Sequence, residues 1–357
     1  MAAFLVVIEH LRSLMFADFG TNVRREVLER TFYFFTGFGH SAVMVFFVMS
    51  GFLVGGKVLD RLARGNFDWK KYCTDRVSRL YVVYIVALLV GAGLDYFGSH
   101  YFNRFGLYDQ TFPGKIAIIN HNFQQNLSVP IFMVNLAMCQ TILGPVFGSN
   151  GPLWSLANEF WYYLAGPLFF ALIFHKQTLF RVFGTIGFIF IVWFLPAPIL
   201  MYGVVWLLGA ALYFVNHRAL APLWITFPLF AVSFCIARLQ WLMTPYFADF
   251  LIGISFALVI NSATANSRRI PGNAWSKTAA GFSYSVYLCH FPLLIFVASV
   301  LFQINLLGLR QQPTLKLGIS YILILILTYA WCFLISLATE RRTPQARAWI
   351  NRVIAHS

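Results

Sequence analysis

MAAFLVVIEHLRSLMF, residues 1–16, decides what kind of protein this is, because it sets Glu9, His10 and Arg12 inside an otherwise apolar helix. An ionisable side chain at bilayer depth costs roughly 2.5–3.5 kcal/mol even on lenient insertion scales, so each one needs a partner or a task. Glu9 and Arg12 are three apart and share a helix face, so an ion pair between them is structural as readily as catalytic. His10 is different. It lies about 100° around the helix from Glu9 and about 200° from Arg12. Its partner must come from another helix, which makes it the first candidate for catalysis or proton handling.

The same apolar character continues along the chain. Of 357 residues, 59% are hydrophobic and 11% charged, and the mean hydropathy is +0.72, well outside the range of a water-soluble domain. Apolar runs of about 16–25 residues follow one another, each close to the length that crosses a hydrocarbon core of about 30 Å. The chain therefore reads as an all-α polytopic membrane protein, one integral domain over 1–357 with a short basic tail over 339–357. Ten transmembrane helices are predicted, over 2–17, 37–56, 78–97, 153–174, 182–195, 199–216, 222–237, 245–261, 279–303 and 317–338. The first has no basic flank and no small-residue cleavage site, so it does not read as a cleaved signal peptide.

The basic residues orient these spans. Seventeen of the 26 Lys and Arg fall in the loops and tail on the side of the N-terminus, eight fall on the other side, and Arg12 lies within the first span. Both termini are therefore expected in the cytoplasm. Counting VPIFMVNLAMCQTILGPVFG, residues 129–148, as a further crossing would put Arg268, Arg269 and the Arg-rich tail outside. That run is instead predicted as a re-entrant or external segment, broken by Gly144 and Pro145. The polar residues before it, His100, Asn120, His121, Asn122, Gln124 and Gln125, read as a solvated outer loop. The Lys and Arg behind the net charge of +14 cluster in short loops, where they set topology and meet anionic membrane lipid or ligand phosphates, so no nucleic-acid role follows. Cys73, Cys139, Cys235, Cys289 and Cys332 are scattered without paired spacing and imply neither disulfide nor metal site. No internal repeat of the transporter kind is visible.

Several polar residues interrupt the apolar runs in patterns that carry chemistry. Arg76 and Arg79 share one face of the cytoplasmic end of the third span, with Lys70 and Lys71 just upstream, and paired guanidinium forks suit phosphate. The fourth span opens on Trp154, Ser155, Asn158 and Glu159; a carboxylate there can orient an imidazole, or can be satisfied at the helix end by backbone or Arg. Ser283, Tyr287 and His290 form a polar stripe before Pro292, which reads as cavity lining or helix packing. Ser50 and Gly51 read as a close helix contact, and Glu340 as an ion pair with Arg341 and Arg342 at the end of the last span.

Four of these stretches and a fifth motif resemble one family. VMVFFVMSGFLVGG (43–56), DRVSRLYVVY (75–84), GPLWSLANEFWYYLAGPL (151–168) and GFSYSVYLCHFPLL (281–294), with ERRTP (340–344) after the last span, follow the order found in the acyltransferase-3 family. Its members are polytopic bacterial membrane enzymes that move acyl groups, commonly acetyl, onto surface glycans. The resemblance implies that His10 is catalytic with Glu159 as its acidic partner, and that Arg76 and Arg79 hold the phosphates of an acyl-CoA donor. The family's usual Arg eleven residues before that histidine would fall ahead of Met1, so either the true start lies upstream or Arg12 partly substitutes.

The resulting expectation is an inner-membrane O-acyltransferase that uses acetyl-CoA as co-substrate, with no bound cofactor. The acceptor would be a hydroxyl of a glycan or lipid-linked glycan such as lipopolysaccharide O-antigen, and succinyl or another short acyl group is the alternative donor. Longer relatives carry an extracytoplasmic esterase-like domain; with 19 residues after the last span, this chain is expected to finish transfer alone. An imidazole, with its ordinary pKa near 6.5, can serve as general base or be acylated itself, and general-base help contributes about 10²–10⁴ in rate. The rival reading is a transporter or flippase for a lipid-linked glycan, in which the same charges form a proton relay.

Overall fold

A computed structural model describes residues 2–19, 27–112, 116, 118–119, 122–215, 218–238, 244–265, 278–308 and 310–356. Among the topology markers of the sequence, Arg24, Arg25, Lys115, Asn120, His121, Arg268, Arg269 and Lys277 lie outside the described residues.

Among the described residues the architecture is helical throughout, with two isolated β-bridges and no strand. In chain order the helices are α1 (Ala2–Met15), α2 (Val27–Phe35), α3 (Gly39–Ser50), α4 (Gly56–Ala63), α5 (Trp69–Tyr101), α6 (Val129–Leu136), α7 (Leu153–Phe174), α8 (Thr178–Phe194), α9 (Ala197–Ala211), α10 (Leu223–Arg238), α11 (Pro245–Ala265), α12 (Ser283–Gln303), α13 (Leu315–Ala338) and α14 (Thr343–His356). Each of the ten predicted segments coincides with a helix. Among the described residues six helical runs are long and apolar enough to cross a membrane: Val27–Ala63, Trp69–Tyr101, Ala197–Val215, Tyr246–Ala265, Ser283–Gln303 and Leu315–Val353. Residues 129–148 form no span. They fold as the short α6 followed by turns, with Asn135 tying the segment together through Ile131 O, Pro145 O and Phe147 N.

The outward faces of α8, α10 and α13 carry exposed Phe183, Ile186, Trp193, Trp224, Phe227, Leu323 and Ile326. Apolar surface of that extent belongs against lipid. Polar groups turn inward, and two helix-breaking prolines show how the interior accommodates them. Pro167 in α7 and Pro292 in α12 cannot donate to the carbonyls four residues before them. The Tyr163 carbonyl freed by Pro167 accepts from Tyr72 Oη at 2.9 Å, and the Leu288 carbonyl freed by Pro292 accepts from Asn150 Nδ2 at 2.8 Å.

Between α3 and α4 the helix widens into one π-turn, Gly51–Gly55. Gly51 lies against the backbone of Trp206, and Gly209 against that of Val48, so a Cβ at either place would overlap main chain of the other helix. The predicted close contact at Ser50 and Gly51 is this crossing of the second span with α9.

The antiparallel packing sorts side chains to two ends. The start of α5, the end of α7, α4 and α14 share one end, where Arg347 of α14 reaches Asp75 at 3.1 Å and docks the basic tail as a helix. The end of α1, the starts of α3 and α7 and the connection 122–151 share the other. Buried Asp95 anchors that connection by accepting from Ser149 N at 2.7 Å.

Candidate active site

At the basic end a cavity of about 470 Å³ opens between α3, α4, α5, α7 and α12. Lys57, Arg61, Arg76 and Arg79 line it, together with Ser50, Ser155, Glu159, Tyr163, Ser283 and Tyr287. The Arg76 guanidinium sits by the rings of Tyr72 and Tyr163, 5.9 and 5.6 Å from their centroids, and its Nε is buried without an acceptor. A buried cationic N–H is costly to leave unpaired unless a ligand completes it.

Arg79 is spoken for. Its Nη2 lies 3.5 Å from Glu340 Oε1 and its guanidinium covers Tyr284. Glu340 also accepts from Ser285 N and Oγ at 3.2 and 3.1 Å. This corrects the expected pairing of Glu340 with Arg341 and Arg342. The 3-10 turn at Glu340–Arg342 carries the carboxylate inward, while Arg341 packs on Phe333. Lys70 and Lys71 are a second correction: both are exposed at the start of α5 and line no wall of the cavity. They precede Arg76 by six and five residues, more than 100° away around the helix. Lys57 and Arg61 of α4 line the cavity in place of Lys70 and Lys71.

Glu159 belongs to this cavity and not to His10. Its Oε1 accepts from Tyr163 Oη at 2.5 Å, Tyr163 Oη accepts from Ser50 Oγ at 3.2 Å, and Ser50 Oγ accepts from Trp206 Nε1 at 3.2 Å. The carboxylate predicted to orient the imidazole thus ends a hydroxyl relay that begins on α9. Asn158 is buried behind the wall and lines neither cavity.

His10 lines a second cavity of about 450 Å³ with Glu9, Gly39, His40, Trp154, Tyr287 and Phe291. Its partner comes from another helix, as the helical angle required, and it is His290: Nδ1 of His10 lies 2.9 Å from Nε2 of His290. The tautomers follow from the next contacts. His290 Nδ1 lies 2.9 Å from both Val286 O and Tyr287 O, and carbonyls only accept, so the proton is on Nδ1. The neutral ring's Nε2 is then an acceptor, which takes the Nδ1–H of His10 and leaves Nε2 of His10 bare. The rings stack 5.2 Å apart at 14°, with Phe291 edge-on to His10 at 5.0 Å.

Glu9 is pinned by the Gly39 amide at the start of α3, where a helix N-terminus favours a carboxylate, and lies 3.8 Å from Arg12. Arg12 lines neither cavity. It turns away to Thr36 O and the Tyr33 ring, so the structure offers it no route to a donor at the basic end. The two cavities share Val43 and Tyr287, and Tyr287 Oη bonds Ser155 Oγ at 2.5 Å where they meet. Tyr287 therefore stands between the cavity of the arginines and that of the imidazoles.

Sequence reading missed Lys57 and Arg61, and also His40 with Asp249, 2.9 Å apart across α3 and α11. Asp249 had a signal, being an acid inside an apolar run. The lysine and arginine of α4 had none beyond a basic loop. Among the described residues no group of three or more His, Cys, Asp or Glu is arranged to hold a metal ion.

A family model described as an acyltransferase domain matches residues 1–337. An uncharacterized protein of Haemophilus influenzae is 30% identical over 134 residues, 37% of this chain and 49% of that protein. Acyltransferase MdmB of Streptomyces mycarofaciens is 27% identical over 138 residues, 39% of this chain and 30% of that protein. The aligned parts thus span half or less of these relatives. No solved structure matches.

Proposed function

The chain belongs to this acyltransferase family, and from that premise we propose that it is an O-acyltransferase of the bacterial inner membrane, moving a short acyl group from acyl-CoA to a hydroxyl of a cell-surface glycan such as lipopolysaccharide O-antigen. Acetyl is the group proposed; succinyl would differ only in the donor cavity. All ten predicted helices cross the membrane, both termini are cytoplasmic, and the basic end is the inner face.

One observation supports this reading above the others: the cavity with the unpaired Arg76 Nε and the cavity with the bare His10 Nε2 meet at Tyr287. Lys57, Arg61 and Arg76 receive the coenzyme's phosphates, Arg76 gaining the acceptor it lacks. The uncharged pantetheine arm runs along Glu159, Tyr163 and Ser155 and brings the thioester to Tyr287. His10 Nε2 takes the proton of the acceptor hydroxyl as its oxygen attacks the thioester carbonyl carbon. The carbon–sulfur bond then breaks, and the coenzyme thiolate leaves with the proton returned from His10. His290 holds His10 in the tautomer that can do this.

Mass spectrometry of surface glycan from cells with and without the protein tests the proposal. Acyl groups should be present only with the wild type and absent with His10→Ala. Equal acyl content in all three would instead favour a transporter, which leaves its cargo chemically unchanged.

A further inference from the structure

The second cavity has a polar pair that the reaction above does not use. His40 sits at the first turn of α3, and half of its side chain is exposed, whereas the Asp249 carboxylate behind it is buried, 3% exposed as a residue. Asp249 Oδ2 lies 2.9 Å from His40 Nε2, so the carboxylate accepts Nε2–H, and in the neutral imidazole Nδ1 is the nitrogen with a lone pair. Among the described residues Nδ1 has no partner, although the ring lines the cavity that also contains His10 and Glu9. A tie whose only task was to join α3 to α11 would bury the imidazole. This one presents it.

Two aromatic rings flank His40. Trp154 lies nearly parallel to His40 at 6.3 Å and 18°, Tyr202 is 6.3 Å from His40 and 5.6 Å from Trp154, and Tyr246 adds a further ring 5.6 Å from Tyr202. An oriented acceptor nitrogen beside an aromatic face is what a pyranose requires. Its C–H face packs on the rings, and its hydroxyls donate to a fixed lone pair. A cavity of a few hundred Å³ with a few convergent polar groups is the usual setting for such a ligand.

The geometry points to an acceptor-sugar subsite formed by His40 and Trp154, which line the His10 cavity, with Asp249 and Tyr202 behind them. A hexose unit of the glycan lies on Trp154 and Tyr202 and donates a hydroxyl to His40 Nδ1, whose tautomer Asp249 fixes. This rests on the acyltransferase reading for its ligand class, but it makes a claim about binding that does not need the chemistry to occur.

The probe is the set of oligosaccharides released by mild acid from the surface glycan of the producing cells. Their binding to the full chain in nanodiscs is measured by calorimetry for wild type, His40→Gln, Asp249→Asn and Trp154→Ala. Coenzyme A binding is measured on the same samples as the check that each variant is folded. The expected result is that wild type binds the oligosaccharides, while the three subsite variants bind at least about tenfold more weakly with unchanged coenzyme affinity. Equal oligosaccharide affinity in all four proteins overturns the subsite, and so does a wild type that binds none. If the subsite variants behave as expected but wild type transfers no acyl group to the bound sugar, the subsite stands and the acyltransferase reading falls.

Discussion

At the scale of single residues the account turns on which nitrogen of His10 is bare. The helix carbonyls of Val286 and Tyr287 set His290, and His290 sets His10, so a neutral ring here takes the orienting part that a carboxylate takes in hydrolytic triads. Replacing His290 by Phe keeps a flat ring but removes the acceptor for His10 Nδ1–H. Acyl transfer should fall about 10- to 100-fold with coenzyme affinity unchanged, and His290→Gln, whose amide oxygen can stand near the lost Nε2, should recover most of it in a radiometric assay. Arg76 offers a second test at this scale. A planar fork over two tyrosines is not replaceable by an ammonium, so Arg76→Lys should weaken coenzyme A binding about tenfold by calorimetry.

At the scale of helices the site is held by groups that repair breaks. Asn150 caps the Leu288 carbonyl that Pro292 leaves open, two residues before His290, and thereby ties the connection 122–151 to α12. Asn150→Ala leaves a buried carbonyl unpaired and should lower stability by about 1–3 kcal/mol, seen as an earlier thermal unfolding transition in detergent. Gly51 and Gly209 each lie against main chain of the opposite helix where the second span crosses α9, next to the Ser50 hydroxyl of the relay to Glu159. Gly209→Ala should cost about 1–3 kcal/mol by overpacking and displace Ser50, so unfolding temperature and transfer rate fall together.

At the scale of the whole molecule much was legible beforehand. Periodicity and span length located the helices, because in lipid the backbone must close its own hydrogen bonds and leaves long apolar runs as the record. His10 stood out for the same reason, and its angle around α1 showed that its partner lay on another helix. Which residue that was could not be read, since Glu159 and His290 are both polar interruptions and only the three-dimensional crossing of α1 with α12 chooses between them. The donor wall was half legible: Arg76 and Arg79 share a face by spacing, but Glu340, far along the chain, takes Arg79, and α4 supplies Lys57 and Arg61 across a turn. The proposed topology is open to direct test. In a cysteine-free background, Gly65→Cys should react with a membrane-impermeant maleimide only after the cells are opened, and Asn305→Cys should react in intact cells.

The central claim is that a thioester entering past the arginines meets His10 across Tyr287 and gives its acyl group to a sugar on the far side. Inverted inner-membrane vesicles, whose cytoplasmic face is outermost, can be given acetyl-CoA radiolabelled in the acetyl group. The account predicts label in glycan inside the vesicles with wild type and none with His10→Ala. Label reaching glycan equally well with His10→Ala would contradict it.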